Sequence, residues 1–415
     1  MPHRRSAAHQ ARHRSAAGGP PWWSRPGLGY RGRRLRLGAC DLRALAARRG
    51  TPLYVYHGTR IRANLTRLRR ALAASHPRSR VLYAVKSNRF PPLLRLLRSA
   101  GGCGADVCSP AELELALRCG FAPEAVSYTG TSMSEEDARS LARHPRVRLN
   151  CDSLASLRRI ARLCPGRRIG LRINPGAGLG YRSNPKLRYA GGADTKFGIY
   201  REQFEEALGL AARGGLAVCG LHLHAGCGFL TPQLPALDRV FAAVRPFLER
   251  LPQLEYLNLG GGLGIPLVPR DRPLDLAAWG RLLRRHFGRD RFEVWIEPGD
   301  YLVKDAGVLL LEVNMAERKR RSWFVGVNGG FNLHPEPAFY GLPLVPVPCE
   351  PRRGPARTFA VAGNINEALD LLAEGVRQPL PEEGDILAFL NAGGYGAAMS
   401  SNHCMRGAFR EMLLP

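Results

Sequence analysis

The chain has 415 residues, 45% of them hydrophobic and 23% charged. That composition belongs to a globular protein rather than a disordered one, and the length suits more than one domain. No apolar run reaches the roughly 18 residues that would suggest a membrane-spanning helix, so no membrane partner is expected. The formal charge of +27 raises the question of a nucleic-acid partner. The excess is spread along the chain, mostly as arginine on presumed helix faces (Arg67, Arg69, Arg70; Arg281, Arg284, Arg285). No finger, RNP or helix-turn-helix pattern accompanies it, so it reads as a solvated basic surface with no nucleic-acid partner.

Residues 1–38 hold nine arginines and no acid; the first carboxylate is Asp41. Rich also in Ala, Gly, Ser and Pro, this stretch reads as a disordered basic tail, with too little apolar surface to order itself. It lacks the apolar core of a secretory signal and has the composition of an organelle transit peptide. Residues 39–57 contain the β-like run Leu53–Tyr56, expected to join a later β domain.

From residue 81 a repeat sets in. Short β-prone runs alternate with Leu/Ala/Arg segments of helical period. The runs are Val81–Val85, Ala105–Cys108, Ala125–Tyr128, Val147–Cys151, Ile169–Ile173, Cys219–His224, Tyr256–Leu259 and Val294–Ile296. Helices are expected at Pro91–Arg98, Ala111–Arg118, Glu135–Leu141, Leu154–Leu163, Phe204–Ala212, Leu234–Leu248 and Leu276–His286. Eight such units are what a closed (β/α)8 barrel needs, here over residues 58–300. The alternative, a doubly wound open sheet, usually stops at five or six. Beyond residue 300, Val308–Asn314, Ser322–Val327, Thr358–Ala362 and Asp385–Leu390 are β-like runs between Pro/Gly-rich turns. Residues 301–415 therefore read as a C-terminal all-β domain. The ten cysteines include no C-x-x-C pair and sit mostly in apolar contexts, which points to free thiols, a reducing cytoplasmic setting and no metal site.

In a barrel, chemistry sits at the carboxyl ends of the strands. Lys86 closes the first run, His224 the sixth, and Glu297 the eighth, while Gly260-Gly261-Gly262-Leu263-Gly264 follows the seventh. Each has a plainer reading alone: an end-capping lysine, a core histidine, a surface carboxylate, a tight turn. Lys86 is one of only five lysines among 61 lysines and arginines. Arginine cannot shed its proton to form an imine, whereas a partly desolvated lysine can. Glycine backbone after strand seven of a barrel is a common phosphate cradle. Together, an imine lysine, a phosphate cradle, a planar stacking partner and a carboxylate meet the needs of pyridoxal 5′-phosphate (PLP).

These residues resemble the fold-type III PLP-dependent decarboxylases, the group of diaminopimelate and ornithine decarboxylases, whose barrel is related to that of alanine racemase. The similarity runs from about Thr51 to the C-terminus. It is carried by Tyr83-Ala84-Val85-Lys86-Ser87-Asn88, Gly104-Ala105-Asp106-Val107-Cys108-Ser109 with Glu112, Lys196-Phe197-Gly198 and His222-Leu223-His224-Ala225-Gly226. Further on come Leu259 to Pro266, Glu297-Pro298-Gly299, Asn328-Gly329-Gly330, Pro337-Ala338-Phe339-Tyr340, Asn366-Glu367 with Asp370, and Ala392-Gly393-Gly394-Tyr395-Gly396. The resemblance implies a Schiff base on Lys86, with Asp106 beside the cofactor and His224 stacked on its ring. Gly260, Gly261, Gly262 and Tyr395 would hold the phosphate, and Glu297 would pair with the ring nitrogen. Tyr340 and Glu367 would meet the amino-acid substrate. Glu367 would do so in the partner subunit of a homodimer with shared sites.

The chain departs from that pattern at four places. Asn366 stands where the family usually has its proton-donating cysteine, and Cys227 where it has serine. Asp300 and Glu336 stand where arginines would hold a distal substrate carboxylate; alternatively these acids point away and pair with Arg182 or Arg188. The expected function is decarboxylation of an amino acid or amino-acid conjugate, with Lys86, Asn366 and Glu367 at the chemistry. A PLP-dependent racemase and a PLP-binding homologue without turnover remain as alternatives.

Overall fold

The structure is a computed structural model that describes residues 20–180, 187, 189–191 and 194–415. It divides into two compact units. One comprises the described residues up to Ile61, Pro266–Asp271 and Val303–Pro415; the other comprises Arg62–Ile265 and Arg272–Leu302.

The chain opens with a small meander of β1 (Leu28–Arg31), β2 (Arg34–Leu37) and β3 (Cys40–Asp41), followed by α1 (Leu42–Arg49). Strand β4 (Leu53–His57) and helix α2 (Gly58–Ser75) lead into the barrel. Its strands are β5 (Ser79–Ala84), β6 (Cys103–Val107), β7 (Val126–Tyr128), β8 (Arg148–Cys151), β9 (Arg168–Arg172), β10 (Ala217–His222), β11 (Tyr256–Asn258) and β12 (Glu293–Ile296). Each pairs in parallel with the next, and β12 returns to β5, so the sheet closes. The helices between them are α3 (Pro91–Ser99), α4 (Pro110–Arg118), α5 (Glu135–Ala142), α6 (Leu154–Leu163), α7 (Phe204–Arg213), α8 (Leu234–Leu248) and α9 (Leu276–Phe287). All eight barrel strands thus fall on the runs read from sequence.

Local chemistry sets the helix starts. Ser109, Ser134, Ser153 and Asp275 accept backbone N–H bonds at the starts of α4, α5, α6 and α9, and prolines open α3 and α4. Large buried side chains occupy the barrel interior. Tyr256 stacks on Trp295 with ring centroids 4.0 Å apart, and its hydroxyl donates to Asn150 Oδ1 at 2.8 Å. A Cβ on Gly220 would lie 2.0 Å from that tyrosine ring, so only glycine fits beneath it.

After the barrel come α10 (Asp300–Val303), β13 (Gly307–Lys319), β14 (Ser322–Val327), α11 (Glu336–Tyr340), β15 (Val345–Pro348), β16 (Ala356–Ala362), β17 (Leu371–Pro379), β18 (Ile386–Leu390) and β19 (Arg410–Leu414). The long β13 bonds β4 and β18 with its first half and β14 with its second. Strand β19 adds to the other side of β4. The described part of the sheet unit is therefore mostly β, with the short helices α1 and α11 beside the strands.

One expectation is corrected. Residues 1–38 do not form one disordered tail, because residues 20–38 are ordered; residues 1–19 lie outside the described residues. Trp23, Leu28, Leu35 and Leu37 are buried in a cluster with Leu53, Val308, Val347, Cys349 and Leu390. Tyr30 donates to the Pro348 carbonyl at 2.6 Å, and the Leu35 N–H to that of Cys349 at 2.8 Å. Arg34 and Arg36, half-buried, alternate with buried Leu35 and Leu37, and Arg31 and Arg33 are exposed, so arginine dilutes a two-residue period that is nonetheless present.

Removal of residues 1–38 should therefore destabilise the chain, because it strips four core side chains worth about 2 kcal/mol each. Urea denaturation of the truncated and full-length chains checks this; equal stabilities would show the meander to be ornamental.

Candidate active site

The parallel barrel brings the carboxyl ends of its strands to one rim, and the expected cofactor residues of this unit meet there. Lys86 follows β5 in a short 3-10 turn, Val85–Ser87. Its Nζ lies 2.7 Å from Oδ2 of Asp106, which is buried on β6. Burial, and then the Glu297 carboxylate, push the Asp106 carboxyl up to about 7 against the pull of Lys86. The pair thus holds the lysine at the rim by a carboxylate whose charge is costly.

Glu297 follows β12 and is also buried. Its Oε2 accepts from His222 Nε2 at 3.0 Å and its Oε1 from Asn258 Nδ2 at 2.5 Å. Burial alone would raise this carboxyl; His222, Lys86 and Asn258 outweigh it and hold it at about 2. Glu297 is therefore a fixed anion. His224, two residues beyond β10, is pushed down to about 3 by burial and then by Arg172 and Lys86. It is a neutral ring, packed edge-on by Tyr189 at 4.8 Å.

The glycine turn after β11 is built for close backbone approach. Gly260 and Gly262 have φ of +68° and +99°, and a Cβ on Gly261 would sit 2.2 Å from the Glu297 carbonyl oxygen. The Gly260 N–H is committed to Asn258 Oδ1 at 3.0 Å and that of Gly261 to His224 Nδ1 at 3.4 Å. The turn therefore braces the His224 ring from its own backbone and presents no side chain beside it. An amine, a buried anion, a flat neutral ring and a side-chain-free turn on one rim fit PLP.

Four rim residues were given no role from sequence. His222 and Asn258 ligate Glu297; Arg172 ends β9 with its guanidinium 4.7 Å from the Phe197 ring, and buried Asp152 follows β8. Each is a polar residue within or at the end of an apolar run, which was the available signal.

The remaining expected residues belong to the sheet unit, apart from half-buried Asp300, which opens α10. Asn366 and Glu367 are exposed on the turn between β16 and β17. Buried Asp370 shapes that turn by accepting from the Ile365 and Phe331 N–H groups, both at 2.7 Å. Glu367 meets His403 Nε2 at 3.3 Å. Tyr340 ends α11, and Tyr395 adopts φ +53° in its glycine turn with Lys304 Nζ 5.8 Å from its ring. Glu336 is not a bare acid: it is buried, and Lys304 Nζ donates to its two oxygens at 2.5 and 2.7 Å. The suggested partners Arg182 and Arg188 lie outside the described residues.

Residues 59–304 match the family model for the pyridoxal-binding domain of pyridoxal-dependent decarboxylases. The chain belongs to the pyridoxal-dependent decarboxylase family. It is similar to the diaminopimelate decarboxylase of Methanothermobacter thermautotrophicus, 36% identical over 392 residues that cover 92% of this chain and 90% of that protein. The Streptomyces coelicolor diaminopimelate decarboxylase is 32% identical over 91% of this chain and 88% of its own length. Among solved structures, diaminopimelate decarboxylase from M. jannaschii in co-complex with L-lysine superposes with a TM-score of 0.84 at 26% identity, covering 93% of this chain and 92% of that one. The chain is thus a PLP-dependent carbon–carbon lyase of fold type III, and decarboxylation prevails over the racemase and carrier readings.

Proposed function

We propose that the enzyme decarboxylates an amino acid, or an amino-acid conjugate, whose distal end bears no free carboxylate, and that it works as a cytoplasmic homodimer with composite sites. The observation that carries the substrate reading is the buried Lys304–Glu336 pair. Where the family resemblance expects a cation for a distal carboxylate, this chain has an acid already satisfied by its own lysine. Its charge is cancelled, so Glu336 neither repels nor holds a distal carboxylate; what such a group lacks is a positive partner, with the acid Asp300 as the other substituted position. A distal amide, ester or ammonium needs no such partner. Diaminopimelate is the second reading, favoured by the activity of the relatives.

The bound cofactor supplies an electron sink for the electron pair of the breaking Cα–carboxylate bond. Lys86 would anchor it, and Glu297, ionised and held by two side chains, would pair with its ring nitrogen. His224, neutral and braced by the Gly261 N–H, supplies a flat wall. Asn366 has no acidic proton to give, which leaves Lys86 or a water molecule to protonate Cα. The dimer reading is supported by the turn that carries Glu367. Phe339, Leu369 and Met405 are exposed apolar residues of the same unit, and the Phe331 ring packs against both Phe339 and His403 at 5.9 and 5.8 Å. An acid beside such a patch suits entry into a second copy of the chain. No membrane or nucleic-acid partner is invoked: among the described residues no helix is long and apolar enough to cross a membrane. The ten cysteines are free thiols, which supports the cytoplasmic setting.

Two measurements follow. The kcat/KM for lysine, ornithine or an amide conjugate should exceed that for diaminopimelate by about tenfold or more, a difference of about 1.4 kcal/mol; the reverse ratio would reject the substrate reading. Mixing inactive Lys86→Ala and Glu367→Ala chains should restore up to about a quarter of the activity by random assortment into dimers. No recovery after verified subunit exchange would place each site within one chain.

A further inference from the structure

Glu297 is held from two sides, and one of the two holders has a second nitrogen with nothing to do. His222 is 2% exposed, and its Nε2 lies 3.0 Å from Glu297 Oε2. Its Nδ1 is buried with no hydrogen-bond partner among the described residues. An orphaned N–H costs more than an orphaned lone pair can gain, and a lone pair on Nε2 would face the carboxylate oxygen. The proton therefore sits on Nε2 and is donated to Glu297. A second proton is disfavoured by burial, with Arg172 and Lys86 adding to the effect and Glu297 opposing it.

We infer that His222 is a positioning residue: its single Nε2–H keeps Glu297 ionised and aimed at the cofactor ring nitrogen. The inference rests on the reading of Glu297 as that nitrogen's partner and adds the group that makes it possible. A buried carboxylate is stable as an anion only while donors satisfy it. Here the donors are His222 and Asn258, with Lys86 and Arg172 as nearby cations and Asp106 and His224 as the other titratable neighbours. Without the histidine N–H, Glu297 loses one of its two direct hydrogen-bond donors and draws a proton. A protonated carboxyl no longer keeps the ring nitrogen charged, and the proton affinity at the Lys86-linked nitrogen rises.

That change is visible without turnover, in the pH titration of the bound cofactor's visible absorbance. In His222→Leu the midpoint should rise by about one unit or more, and in Glu297→Gln by a similar amount. His222→Gln, which can return an amide N–H to the same oxygen, should stay within about half a unit of wild type. A histidine that merely fills space would alter stability or cofactor content and leave the midpoint where it was. An unmoved midpoint in His222→Leu beside a moved one in Glu297→Gln overturns the inference and spares the Glu297 assignment. Unmoved midpoints in both overturn both. Should the leucine variant not fold, 15N spectra of the histidine-labelled wild-type holoenzyme decide: a neutral Nε2–H ring across about pH 6 to 9 is expected, and an imidazolium or an Nδ1–H ring rejects the inference.

Discussion

Closure of eight parallel strands is the constraint on which the rest depends. Because every strand runs the same way around the barrel, every carboxyl end arrives at one rim, and whatever follows those ends must coexist there. The sequence supplies Lys86, Asp106, Asp152, Arg172, His222, His224, Asn258 and Glu297 to that single ring, several of them buried. Beneath them lies a buried core in which Tyr256 stacks on Trp295 against Gly220, so Asp106, Arg172, His222 and Glu297 are shut away from solvent on that side. The charges must therefore satisfy one another.

They do so unequally. Glu297 has two side-chain donors and is held ionised, whereas Asp106 has one lysine and is pushed towards neutrality. Two carboxylates on one rim with their proton affinities driven apart give one permanent anion, suited to the proposed pairing with a ring nitrogen, and one adjustable partner for the Lys86 amine. The two histidines divide similarly: His222 spends its proton on Glu297, while His224, fixed by the Gly261 N–H, keeps its face free of charge. The glycine turn links the two halves, since the same few residues brace the His224 ring and leave the space beside it free of side chains.

Much of this was legible in the chain. Strands buried on both faces read as continuous apolar runs, and the Leu/Ala/Arg segments between them carry a helical period, so both periods were clear. The meander at residues 28–37 was not, because arginines alternate with Leu35 and Leu37 and composition alone suggested disorder. Strand β15 was hidden by its two prolines, which its partner β18 tolerates at the sheet edge. Lys86, His224, the glycines and Glu297 were legible as chemistry at strand ends. His222 and Asn258 were not, since a polar residue inside an apolar run shows its purpose only when the strand beside it is known. The lysine that neutralises Glu336 is 32 residues away in sequence, and nothing local announces the pair.

The central claim is that one amine, Lys86, holds the cofactor at the barrel rim. Reduction of the yellow holoenzyme with borohydride makes the attachment permanent, and peptide mass spectrometry then locates it. The account requires a phosphopyridoxyl group on the peptide containing Lys86 and loss of the visible band in Lys86→Ala; attachment at Lys196 or Lys304 with Lys86 unmodified would contradict it.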